Sequence, residues 1–219
     1  MNSSYYVFDY NTRNVIIFNE FWEYQRTITL LSNPKYSVYA NDEIYVSYYT
    51  LVGKYDKDLN FLFQSNAYGS NYNGIYLNES NGLLYAASTD NLKIDIFNKN
   101  LSYSNSINTT FKPWSIAEYN DMIAVSDYST GNINFFKNNI HTSNVSTSCH
   151  GIVTSILFDK YDHMIVLCYS PSYLYIHHTN GTFTGTVVSV CSSSSPMFMN
   201  FDSKHRLVVV CLTNITIFY

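Results

Sequence analysis

At 219 residues, 46% of them hydrophobic and only 13% charged, the chain is long enough to bury a substantial core. Its 22 Tyr and 14 Phe suit pleated, half-buried surfaces and favour an all-β fold. A net charge of −4 with 12 dispersed Lys and Arg excludes a basic nucleic-acid footprint, and no apolar run approaches the roughly 18 residues of a transmembrane helix.

In chain order, one apolar strand recurs: Tyr5-Tyr-Val-Phe, Ile44-Tyr-Val-Ser, Leu84-Tyr-Ala-Ala, Ile123-Ala-Val-Ser, Ile165-Val-Leu-Cys and Val208-Val-Val-Cys. The steps are 39, 40, 39, 42 and 43 residues. Strand-type repeats of this period predict propeller blades. The units run approximately 1–32, 33–70, 71–109, 110–148, 149–190 and 191–219, within one domain spanning 1–219.

Each unit reads as four strands, a to d from the inside outward, with the recurring strand as b. Strand a is expected at 35–39, 74–77, 114–117, 152–158 and 197–201. Strand c is clear at Val15-Ile-Ile-Phe, Lys93-Ile-Asp-Ile-Phe, Asn132-Ile-Asn-Phe-Phe, Leu174-Tyr-Ile-His and Ile215-Thr-Ile-Phe, and poor at Leu51-Val-Gly-Lys-Tyr. Strand d is expected at 26–30, 60–64, 102–107, 144–148 and 182–188. Polar clusters such as Asp56-Lys-Asp58 and Asn98-Lys-Asn100 supply the turns. Pro34, Pro113 and Pro196 precede their b strands by 10, 10 and 12 residues, the place where a strand tolerates a missing N–H. Unit one begins at b and unit six ends after c, so an all-β, six-unit propeller with incomplete first and last blades is expected. The uneven ends favour a fragment of a longer parent.

The pattern Pro-x-x-apolar, polar turn, apolar-Tyr-Val-Ser/Ala, then Ile-x-Ile-Phe-Asn resembles NHL-type propeller repeats, best in 72–98 and 113–137. The basic residue that often precedes strand c in such repeats is matched at Arg13 and Lys93 and is missing from most other units. The resemblance implies the fold more than an activity.

The four cysteines follow the repeat. Cys149 and Cys191 precede strand a, and Cys168 and Cys211 end strand b, 19 and 20 residues on. Neighbouring antiparallel strands would bring each pair together, so disulfides Cys149–Cys168 and Cys191–Cys211 are expected, against the alternatives of other pairings or buried free thiols. Such bonds imply an extracellular protein, with cytoplasmic location as the alternative. The first residues lack the basic and apolar regions of a signal peptide, so its leader is expected outside this sequence. Sequons at Asn2, Asn78, Asn100, Asn108, Asn144, Asn180 and Asn214 suit a glycoprotein, although abundant Asn, Ser and Thr produce most of them by composition.

Catalytic signals are sparse. His141, His150, His163, His177, His178 and His205 read as solvated turn residues, and Glu118 is the main acid near strand a. No metal, cofactor or catalytic residue is expected. The connections d–a and b–c place Tyr48, Tyr49, Tyr68, Tyr72, Trp114 and Tyr128 on one face, with Lys112 and Asp127 beside them. Tyr and Trp combine contact area with a polar handle, which suits recognition; the alternative is packing between blades, above all for Tyr48 and Tyr128 near the end of strand b. The reading is a non-enzymatic module binding a protein or glycan, with Tyr48, Tyr68, Tyr72, Lys112, Trp114, Asp127 and Tyr128 as binding residues. The alternatives are a hydrolase or lyase with a divalent metal, or a degenerate fragment. The oligomeric state stays open.

Overall fold

The computed structural model describes every residue except 1–3, 148, 150, 170–171, 180–181, 192–195, 202–204, 212–213 and 219. His150, Pro171, Asp202 and the sequons at Asn2 and Asn180 therefore lie outside the described residues. The described chain is all β, without a helix, in six antiparallel sheets formed in sequence order, the blades of a propeller. It forms two compact units, Met1–Ser106 and Ile107–Tyr219.

In the first unit, sheet one holds β1 (Tyr5–Asp9), β2 (Asn14–Phe18) and β3 (Tyr24–Thr29). Sheet two holds β4 (Ser37–Ala40), β5 (Glu43–Ser47), β6 (Val52–Asp56) and β7 (Phe61–Gln64). Sheet three holds β8 (Tyr72–Asn78), β9 (Leu83–Ser88), β10 (Lys93–Asn98) and β11 (Tyr103–Asn108), whose last residues pass into the second unit.

In the second unit, sheet four holds β12 (Pro113–Tyr119), β13 (Met122–Asp127), β14 (Ile133–Lys137) and β15 (Ile140–Val145). Sheet five holds β16 (Val153–Phe158), β17 (His163–Cys168), β18 (Tyr173–His178) and β19 (Phe183–Ser189). Sheet six holds β20 (Pro196–Phe201), β21 (Leu207–Cys211) and β22 (Ile215–Phe218). The first and last sheets are the three-stranded ones, as the sequence predicts.

Within each unit the core lies between consecutive sheets. Ile44, Val46 and Tyr48 pack with Val15 and Ile17 of sheet one. Tyr45 and Val52 face the other way, onto Leu77, Leu84 and Ala86 of sheet three. A b strand is thus buried on both sides, which is why it reads as a continuous apolar run in sequence. Ser47 and Ser126 add a polar clamp at the same place in sheets two and four. Each hydroxyl accepts from the N–H of a residue at the start of the first strand, Tyr36 just before β4 or Ser115 in β12, and donates to a carbonyl of the next sheet, Asn73 or Val153.

The register places the three prolines together. Pro113 pairs with Asp127 and Pro196 with Cys211, each followed by a bulge. The backbone of Tyr36 on Ser47 matches that of Ser115 on Ser126, so Pro34 occupies the place of Pro113. Tight turns also follow local chemistry. Asn41-Asp42, Asn120-Asp121 and Asn138-Asn139 all have positive φ and close two-residue hairpins, the geometry of type I′ turns. That last turn starts strand d of sheet four at Ile140, earlier than the expected 144–148.

The poor strand c of unit two is a full, buried strand. Gly53 leaves space for Tyr48, since a Cβ there would meet that ring at 2.8 Å. Lys54 is buried with its ammonium 2.7 Å from Glu43 and over the Tyr45 and Phe63 rings. Both residues weaken the sequence signal for reasons of packing.

Gly131 carries a sharper constraint. Its φ is +72°, and an added Cβ would lie 2.5 Å from the Gly151 carbonyl oxygen. Gly131→Ala should therefore cost about 2–4 kcal/mol, from left-handed strain plus backbone displacement. Urea unfolding checks this against Gly185→Ala, where nothing lies within 4 Å and little change is expected.

Candidate functional site

Sheet register defines one pair of positions that recurs at the end of each sheet where its own d–a and b–c connections lie. The first member follows the register proline or its equivalent: Lys35, Asn73, Trp114 and Thr154. The second begins the b–c connection: Tyr49, Thr89, Tyr128 and Tyr169. The backbone holds the second member the same way in three sheets. Thr89, Tyr128 and Tyr169 donate N–H to the carbonyls of Asn71, Lys112 and Ile152.

In the first unit the pair meets twice. The Lys35 ammonium lies 5.3 Å from the centroid of the Tyr49 ring. The Asn73 amide donates to the Thr89 hydroxyl at 2.7 Å. Lys35 also donates to the side-chain oxygens of Asn71 and Asn73. Asp90 accepts from Ser70, Asn71 and Tyr49, each at 3.3 Å. Burial holds Lys35 below its ordinary lysine range, and the charge of Asp90 only partly offsets this.

In the second unit the Trp114 and Tyr128 rings lie 4.7 Å apart at 30°. Asp127 beside them is buried, and its carboxylate caps the following turn, accepting from Ser129 N–H at 2.9 Å and Thr130 O–H at 2.6 Å. Lys112 is exposed. In sheet five the Thr154 hydroxyl turns back to the Leu167 carbonyl, while Tyr169 is exposed.

The residues expected to bind from sequence divide accordingly. Trp114, Tyr128 and Lys112 reach the face. Tyr68 does too, stacked on Tyr103 at 4.7 Å and 26° on the flank of sheet three. Tyr48, Tyr72 and Asp127 are corrected from surface to interior positions. Tyr48 bonds Tyr55, and Tyr72 donates to the Asp95 carboxylate. Burial first, then these hydrogen bonds, pushes both phenols far above their ordinary range. Sequence reasoning missed Lys35, Asn73, Thr89 and Asp90. The available signal was the residue after Pro34 and Pro113, read together with the residue 14 positions later.

Both expected disulfides are present, with Cα–Cα distances of 5.7 Å for Cys149–Cys168 and 6.1 Å for Cys191–Cys211. His177 departs from expectation, being buried in β18. His163 meets Asp159 at 2.9 Å. Among the described residues, no three His, Cys, Asp or Glu side chains are grouped to hold a metal ion.

No protein-family model matches the sequence, and no curated protein sequence does either. Solved structures share the fold. Virginiamycin B lyase from Staphylococcus aureus is 11% identical with a TM-score of 0.75, over 99% of this chain and 80% of that one. A streptogramin B lyase is 12% identical with a TM-score of 0.73, over 95% and 74%. A chain of a mitotic checkpoint complex is 11% identical with a TM-score of 0.70, over 96% and 72%. At these identities the likeness establishes the propeller fold alone.

Proposed function

We propose that this chain is a single-domain, NHL-type propeller that acts outside the cell as a non-enzymatic binding module, recognising a protein or glycan. The observation that carries this is the recurring pair. A rigid repeat holds two side chains in contact at one place, while their chemistry changes from cation and ring to amide and hydroxyl to two rings. A fixed scaffold presenting varied groups is the usual construction of a recognition surface. The similar chain in a checkpoint complex is a propeller found in a protein assembly, which supports a protein partner. The two disulfides support the extracellular setting.

The test is a glycan array and a surface-protein pull-down with the full chain. A specific hit should weaken at least about tenfold in Trp114→Ala or Tyr49→Ala, with the thermal midpoint unchanged. A chain that captures nothing in either format overturns the reading.

The second reading is a metal-dependent hydrolase or lyase, supported by the fold likeness to two lyases. Stoichiometric metal in the purified protein, lost on mutating an acid or histidine, would favour it over binding alone.

A further inference from the structure

The cluster around Lys35 in the first unit has an unusual charge arrangement. Its ammonium is half-buried and donates to two neutral amide oxygens, of Asn71 and Asn73. Among the described residues no carboxylate stands within ion-pair distance of it. The two amides take at most two of its three protons, and the ammonium also faces the Tyr49 ring. The nearby carboxylate, Asp90, is linked to Lys35 through the Asn71 side chain and through Tyr49, whose ring lies under the ammonium. The three bonds to Asp90 are all at 3.3 Å, and the two from hydroxyls are longer than the roughly 2.5–2.7 Å usual for a hydroxyl on a carboxylate. Two of its three donors are hydroxyls, those of Tyr49 and Ser70.

A ligand carrying one carboxylate and several hydroxyls satisfies both centres. Its carboxylate supplies the missing counter-charge to Lys35, which is worth most where the cation is already partly desolvated. Its hydroxyls replace those of Tyr49 and Ser70 on Asp90, like for like, with no further charge buried. Tyr49, a residue 55% exposed, offers the flat apolar wall of its ring beside them. The geometry points to a site for an acidic sugar, a uronic or sialic acid, formed by Lys35, Tyr49, Asn71 and Asp90. This rests on the binding reading above and names a ligand class for the first pair of positions. An acidic peptide side chain brings the carboxylate but no hydroxyl for Asp90, and so fits less well.

Calorimetric titration of the full chain with glucuronic acid, N-acetylneuraminic acid, glucose and glutamate tests it. An acidic sugar should bind at least about tenfold more tightly than glucose. Lys35→Met should reduce it to the level of glucose, whereas Lys35→Arg should retain most of it. Lys57→Met, which removes the same charge from an exposed position, should change nothing. Tyr49→Ala gives a second reading at an exposed side chain if Lys35→Met fails to fold, and should also weaken the acidic sugar. Equal binding of glucose and both acidic sugars overturns the site, as does indifference to Lys35→Met or Tyr49→Ala. Glutamate binding as tightly as the better acidic sugar also overturns it, in favour of an amino-acid site. Array hits confined to neutral glycans or proteins defeat this inference while leaving the binding function standing.

Discussion

Replacing Cys149 and Cys168 by serine should lower the unfolding free energy by about 3 kcal/mol, and the same change at Cys191 and Cys211 should cost about as much again. Each bond closes a short loop, with sequence separations of 19 and 20 residues. Sheet three supplies an internal comparison. Ser88 pairs with Tyr72 just before a bulge, as Cys168 pairs with Val153. Its hydroxyl accepts from Ser70 N–H at 3.0 Å and donates to Ser70 O at 3.1 Å, across 18 residues. Sheet three therefore ties its b strand to the d–a connection by hydrogen bonds, where sheets five and six do so covalently. Ser88→Ala should cost only about 1–2 kcal/mol. Urea unfolding with and without reductant measures both effects. Free thiols in the unreduced protein, or stability unmoved by reductant, would remove the main support for an extracellular setting.

Lys93→Met should cost about 3–5 kcal/mol, because it strands a buried charge. Asp95 is fully buried in β10. Tyr72 donates to one of its oxygens, and Lys93 lies 2.8 Å from the other, out of line for a hydrogen bond and holding it by charge alone. Adding Asp95→Asn to Lys93→Met should recover much of the loss, since a neutral amide no longer needs the cation. A double-mutant cycle in urea measures the coupling. Additive costs for the two single changes would show that the pair does not act as a unit. The basic residue noted before strand c is, at Lys93, a structural counter-ion.

Much of this protein is written in local sequence. Apolar runs mark the b strands because both of their faces are buried. Prolines mark the start of strand a because only that position needs no N–H. Cysteines 19 and 20 residues apart mark the bridges because antiparallel neighbours bring those two ends together. The binding residues were less legible. Tyr48 and Tyr72 look like Tyr49 and Tyr128 in sequence, yet the first two are buried and the others border the connections. A strand alternates its side chains residue by residue, so a shift of one position at the bulge exchanges interior for surface. Composition cannot register that shift. Nor can it show that Gly53 makes room for Tyr48, or that Lys35 lies beside two amides with its carboxylate one residue removed. The repeat, its strands and its covalent ties are legible in the chain alone, because they depend on period and spacing. Which side chains meet across sheets emerges from the folded molecule, because those contacts depend on register and on the packing of neighbouring blades within each unit.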